Sequence, residues 1–401
     1  MFIVPRTALR LILTSILLVV SLSACTIPVF RPTPTPSPSP TNPAAPSPSP
    51  TVTRTATPTP TQTLTPTLTL TPTPLLLALE NTPLPSDLPS ITVANAGQVS
   101  GLTAWTEKTV TDLAWSPDSK HLASANFDGV TVVDIQTRSP VKRLTTNGGA
   151  ISVAYHPNNS ILAAGNQTGS EAEGYNGNVD FWRTSDWQPV RLIYDYSRAV
   201  SSVDFSPQGD LFAVAFTNPD YDQNTVSFWN TTSWQITQTL QTGTVLEIAY
   251  SPDGKRIATT PDRYAIRLWQ IYNGLLLHTI HTSFTGAVNQ ISFSPNGSLI
   301  ATGHYDGWIR LWDAGTGSLL REMETGSVVD SLAFSPDGSL LASGNGYDNS
   351  AVRLWDVGSG ALLRVLEGHD HAVDNLAFSP DSQYLASASY DGVIRLWGIR
   401  P

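Results

Sequence analysis

Residues 374–398 read DNLAFSPDSQYLASASYDGVIRLWG. Three short runs alternate apolar with polar residues, and they are separated by Ser-Pro-Asp-Ser and by Tyr-Asp-Gly. A period of two describes strands whose two faces meet different neighbours. Pro fixes φ, and Gly and Asp tolerate turn geometry, so the punctuation falls where the chain must reverse.

The same pattern occurs seven times. An apolar triplet runs into Ser-Pro or His-Pro and a turn at Ala114 (AWSPDS), Ala154 (AYHPNN), Asp204 (DFSPQG), Ala249 (AYSPDG), Ser292 (SFSPNG), Ala333 (AFSPDG) and Ala377 (AFSPDS). The prolines lie at 117, 157, 207, 252, 295, 336 and 380, so the spacing runs from 40 to 50 residues. Each turn is followed by a second strand-like run, a tight turn and a third run, and no segment carries a helical apolar stripe.

These units resemble the WD-repeat family. Trp312-Asp313 and Trp355-Asp356 carry the family dipeptide, which drifts to Val133-Asp134, Trp182-Arg183, Trp229-Asn230, Trp269-Gln270 and Trp397-Gly398 elsewhere. The resemblance implies an all-β fold, a seven-bladed β-propeller of four-stranded antiparallel blades. It also places Gly368-His369, Ser387, Asp391 and Trp397 in the family's buried His-Ser-Asp-Trp hydrogen-bond network. Such a set is structural, because Ser387 lies within a strand run and not on an exposed elbow. Other units lack the His, with Phe284 in its place in unit five, so their blades are expected to lean on packing. Val133 leaves unit one without Trp, which makes it the unit expected to be softest. The last unit's third strand runs to the C-terminus, so its fourth is expected from the N-terminal side, residues 97–106 (GQVSGLTAWT), as in the family. Closure of that kind removes exposed sheet edges.

The N-terminal region reads differently. Arg6 and Arg10 precede the apolar run Leu11 to Val20, and Leu22-Ser23-Ala24-Cys25 follows. A charged segment, an apolar segment and small residues describe an export signal over residues 1–24, too short to span a bilayer as a helix. Leu-Ser-Ala-Cys resembles the lipobox of bacterial lipoproteins, which implies a diacylglycerol thioether on Cys25 and cleavage just before it. Two acyl chains anchor stably where one does not, so the expected location is the extracytoplasmic face of a cell membrane. Cys25 is the sole cysteine, which excludes an intrachain disulfide and any Cys-rich metal site. Between Arg31 and Pro74, Pro alternates with Thr and Ser, with no acid and only two Arg. Such a stretch cannot build a core, so residues 25–90 are expected to form a disordered Pro/Thr/Ser-rich stalk in polyproline II geometry, followed by the propeller over residues 91–401. Leu75 to Leu79 (LLLAL) is the exception and is expected to dock on the propeller, with the membrane surface as the alternative.

Charge bounds the partners. The chain has 22 Lys+Arg against 32 Asp+Glu, a formal net charge of −10, which repels phosphate backbones and argues against nucleic acid. The turn between the second and third strands carries an aromatic before its Asp in most units: Phe127, Tyr175, Tyr221, Tyr305, Tyr347 and Tyr390. In the family this position and the start of the first strand, here Leu246, Asn289, Asp330 and Asp374, contact partners. Rigid aromatics with a polar tip suit a protein surface, and the same rings also cover their own turns. Units two and three lengthen this turn (165–178 and 216–224), as loops on a rigid scaffold do when they acquire function. Tyr mixed with Asp suits a polar or basic partner, and it suits a glycan equally, as the second reading. A propeller hydrolase ranks third for want of any motif that joins nucleophile, acid and base. Asp220, Asp222 and Asn224 begin like a calcium loop, but Thr225 stands where Gly is required and Thr231 where Glu is required. The sequence therefore points to no metal, no cofactor and no catalytic set, and to a membrane-tethered scaffold for another protein.

Overall fold

The Ser-Pro-Asp-Gly turns build the fold locally. At the sixth of them, Ser335 Oγ accepts from Leu340 N at 2.9 Å and donates to Asp337 Oδ1 at 2.5 Å. Gly338 N returns to Ser335 O at 2.8 Å with Gly338 at φ 73°. The left-handed position explains Gly there, while Ser119, Asn159 and Ser382 take it at equivalent places. In the second unit His156 replaces the Ser, and its Nδ1 accepts from Asn158 N at 3.2 Å.

The computed structural model describes residues 84–85, 87–170, 174–195, 198–217, 224–261, 264–282, 286–346 and 349–400. Among them seven four-stranded antiparallel sheets stand as blades, each with strands named a to d from the inside outward. Blade 1 runs Val110–Trp115, His121–Asn126, Gly129–Asp134 and Ser139–Leu144, and blades 2 to 6 repeat that order. Blade 7 comprises Val373–Phe378, Leu385–Ser389, Val393–Ile399 and, as its fourth strand, Val99–Thr106. The pairing runs from Val99 opposite Ile399 to Thr106 opposite Val393, and Arg400 Nη2 donates to Gly101 O at 2.6 Å. The expected closing strand is therefore in place, two residues shorter at its start because Ala96–Gln98 forms a single 3-10 turn.

A strap precedes that strand. Ile91 N donates to Ser382 O at 2.7 Å and Ser90 Oγ to Asp381 O at 3.1 Å, which lays it on blade 7's a–b turn. Leu84 and Leu88 are buried with Trp115, Leu122 and Tyr384 between blades 7 and 1, and Ile91 and Ala96 are buried with Leu366 and Phe378 between blades 6 and 7. Packing thus reaches back to Leu84, inside the stretch assigned to the stalk, because two leucines four apart break its Pro/Thr pattern. Cys25 and the LLLAL segment lie outside the described residues.

Aromatics seal the seams between blades. In most seams the residue that ends strand a packs on the small residue of the preceding blade, as Trp115 does on Ala377, Tyr155 on Ala114 and Phe205 on Ala154. Burying a ring of this size contributes on the order of 2–3 kcal/mol, repeated around the ring.

Candidate interaction face

Each blade presents its b–c turn and the loop from the preceding strand d on one face. The a–b and c–d turns lie on the other. In blade 7 the expected network is complete: His369 Nε2 meets Ser387 Oγ at 2.7 Å, His369 Nδ1 meets Asp391 Oδ2 at 3.2 Å, and Trp397 Nε1 donates to Ser387 Oγ at 2.8 Å. Burial pushes the His369 imidazole down, with Asp391 opposing. Burial works against ionising Asp391, but hydrogen bonds from His369 and from the Asp370 and Val393 amides outweigh it and hold that carboxyl at about 2. His369 is therefore neutral, and the set acts as a clamp.

Blade 5 differs from expectation. It does not rely on packing alone, because His304 at the end of strand b supplies the imidazole. His304 Nε2 meets Thr302 Oγ1 at 2.7 Å, His304 Nδ1 meets Gly286 O at 3.1 Å, and Trp312 Nε1 donates to Thr302 Oγ1 at 2.8 Å. Residues i and i+2 of a strand share a face, so His304 reaches the hydroxyl that a loop His reaches in blade 7. Burial pushes its pKa down to about 4. Beside it Arg310 grips Asp306 at 2.9 Å and Glu322 at 2.8 Å. Burial opposes ionising Asp306, and the Arg310 fork outweighs it. Sequence reasoning missed this group, although a His two residues beyond Thr302 was the available signal.

Of the candidate rim residues whose side chains are described, Tyr305 projects furthest, at 57% exposed, while Phe127 and Tyr390 are half-buried. Tyr305 N donates to Ala287 O and Tyr390 N to Ala372 O, so the turns are tied to the neighbouring loop. The side chain of Tyr175 lies outside the described residues, as do Tyr221 and Tyr347 altogether. Among the acids of this face, Asp128, Glu367 and Asp370 are exposed, and Lys108 pairs with Asp128.

The four channel-mouth candidates sit deeper. Asn289, Asp330 and Asp374 each occupy the bulge that opens strand a in blades 5, 6 and 7, and a bulge re-aims its side chain. Asn289 is buried and donates from Nδ2 to Val329 O at 3.2 Å in the next blade. Thr111 and Ser201, at the same place in blades 1 and 3, donate to Ala150 O and Val245 O. Asp330 is buried, and Asp374 and Leu246 are half-buried. In blades 1, 3 and 5 this position thus bonds to the next blade, with the exposed rim outside it. Among the described residues no cluster of His, Cys, Asp and Glu could hold a metal ion, and no helix is long and apolar enough to cross a membrane.

Comparison with known proteins agrees with this geometry. The WD domain, G-beta repeat model matches residues 98–133, 274–313, 317–356 and 360–398, and the anaphase-promoting complex subunit 4 WD40 domain model matches 203–285. Protein FIZZY-RELATED 3 of Arabidopsis thaliana is 31% identical over 176 residues, 42% of this chain and 34% of that protein. The WD repeat-containing protein slp1 of Schizosaccharomyces pombe is 28% identical over 41% of this chain and 33% of its own length. An uncharacterized WD repeat-containing protein of Synechocystis is 28% identical over 43% of this chain and 44% of its own. The chain therefore spans less than half the length of each of these relatives. Repeat models, Trp positions and sheet order agree: the chain is built of WD40 repeats that close into a seven-bladed β-propeller.

Proposed function

We propose that the protein is a non-enzymatic scaffold, lipid-anchored through Cys25 on the extracytoplasmic face of a cell membrane, whose b–c rim engages a basic protein surface. One observation carries the reading. Tyr305 stands 57% exposed on the b–c rim, while Ser90 and Ile91 are fastened to the a–b turn of blade 7 on the other face, which leaves the b–c rim uncovered by that strap. The exposed Tyr305 ring, on the same face as the exposed acids Asp128, Glu367 and Asp370, favours cationic side chains, through ring faces and charge. Supporting the lipid anchor is the position of the one cysteine within Leu-Ser-Ala-Cys.

Cys25→Ala should move the protein from the membrane fraction to the soluble fraction with an unchanged melt, and retention in the membrane fraction rejects the anchor. Replacing Tyr175, Tyr221, Tyr305 and Tyr347 together with Ala should abolish capture of its protein partner after cross-linking in intact cells, at nearly constant Tm. Undiminished capture rejects the rim, and binding on a glycan array without protein capture turns the reading to the glycan alternative.

A further inference from the structure

One seam departs from the rule of aromatic on small residue. Val203 and Phe205 pack into the core shared with blade 2, so Asp204 between them presents the opposite side, toward blade 4. The corresponding residue is Ala or Ser in every other blade. The ring across the seam is Tyr250, buried against Phe228 of blade 3 with centroids 6.2 Å apart. A carboxyl group therefore occupies the slot in which five other seams place a methyl group.

Blade 4 is also the least completed blade. Its strand a is only Ile248–Tyr250 and its strand b stops at Thr259, before Thr260-Pro261. Pro261 has no N–H to extend the ladder. Tyr250 Oη, Thr260 Oγ1, Arg267 Nε and Thr282 Oγ1 are buried in this blade without a hydrogen-bond partner, and each such group lowers local stability.

We propose that the seam between blades 3 and 4 is a pH-dependent joint, shut while Asp204 carries its proton and loosened when the Asp204 carboxylate forms beside Glu247 and Asp112. The groups around it are consistent with that role. Asp112 stands on strand a of blade 1, Glu247 directly precedes strand a of blade 4, and Asp210 lies in blade 3's own a–b turn. His156 of the blade 2 turn is bonded to Gly209 O, and Asp180 on that blade's strand c is held by the amides of Asn166 and Asn178. No Lys, Arg or His occurs on any strand a. Burial pushes the Asp204 carboxyl up, a bond from the Phe205 amide opposes, and Asp112 and Glu247 add to the rise, which brings it to about 7. A carboxyl group raised on folding holds its proton more tightly in the folded chain, so stability at this seam falls as pH rises through that value. Local opening of one weak unit, with the rest of the ring intact, is the expected form of the response.

Amide hydrogen exchange of the full chain at pH 6 and pH 8, corrected for intrinsic rates, tests the joint. Protection of Ile248–Tyr250 and Arg256–Thr259 should fall about tenfold more than that of Leu385–Ser389 in blade 7, the change that one unit of linked protonation gives. Asp204→Ala, which installs the residue of the neighbouring blades, and Asp204→Asn, which keeps the shape without the charge, should each give equal protection at both pH values. An unchanged blade 4 in the native chain overturns the proposal, and so does a pH response that survives in both variants.

Discussion

In blade 7 the indole of Trp397 donates to Ser387, which meets His369, which is held by Asp391. In blade 3 the matching indole, Trp229, has its N–H buried without an acceptor, because Val214 stands where blade 7 has Ser387. Blade 3 adds aromatic burial instead: Phe205 and Phe212 meet at 4.6 Å, and Phe212 meets Phe181 of blade 2 at 4.9 Å. Each fully buried ring contributes on the order of 2–3 kcal/mol, which offsets the roughly 1–3 kcal/mol of an orphaned donor. The network is thus one of two ways to hold the same four strands, and hydrocarbon can replace it where the seam is rich in rings.

Blade 7 carries a different risk, since its fourth strand comes from the other end of the chain. A chain that begins at Thr106 lacks the strap and the closing strand, and it leaves strand c of blade 7 as an open edge. Calorimetry should show loss of the single cooperative melting transition. An unchanged transition would mean that closure contributes little and that blade 7's network suffices alone.

Much of this comparison is legible in the residues. The prolines and the Trp column set seven units and their register, and the match of GH, Ser, Asp and Trp to the family placed the blade 7 clamp. His304 is not legible as a clamp, because the family's His lies in the loop before strand a and the same-face relation to Thr302 matters only once the strand is formed. Asp204 was visible as an odd member of an Ala column, yet its setting depends on Asp112 and Glu247 from two other blades. Asn289 looked like a rim contact. The bulge that turns it toward Val329 O is a backbone feature that no residue type announces.

The two imidazoles give the comparison a pH axis. His304 is kept neutral by burial, with its folded pKa at about 4 against about 6.5 in an unfolded chain. A His depressed in this way binds protons more readily once unfolded, so stability falls as pH drops from about 6.5 toward 4, by at most about 3 kcal/mol. Blade 3 has no such group in its Trp site. His304→Asn, the residue that blade 6 uses at this place as Asn345, should flatten the acid limb of the Tm profile. An equally steep limb would assign the acid sensitivity elsewhere. The seam at Asp204 should act in the reverse direction over nearly the same range, gaining stability as pH drops from about 7 toward 4, so the two groups oppose each other on the acid side of neutrality.

The smallest effect comes from making blade 3 resemble its neighbours. Val214→Thr keeps the volume and the β-branched shape while placing a hydroxyl two strands from solvent, where Thr302 and Thr259 accept from their indoles at 2.8 and 3.1 Å. A hydroxyl in this site is desolvated, but it gains the Trp229 N–H and relieves an orphaned donor, so the balance should favour the variant by about 1 kcal/mol. A rise of a few degrees in Tm, absent in Val214→Ala, would show that blade 3 lacks only the acceptor. A fall in Tm would mean that its phenylalanine cluster has closed the site so tightly that hydrocarbon, and not a hydrogen bond, now sets the position of Trp229.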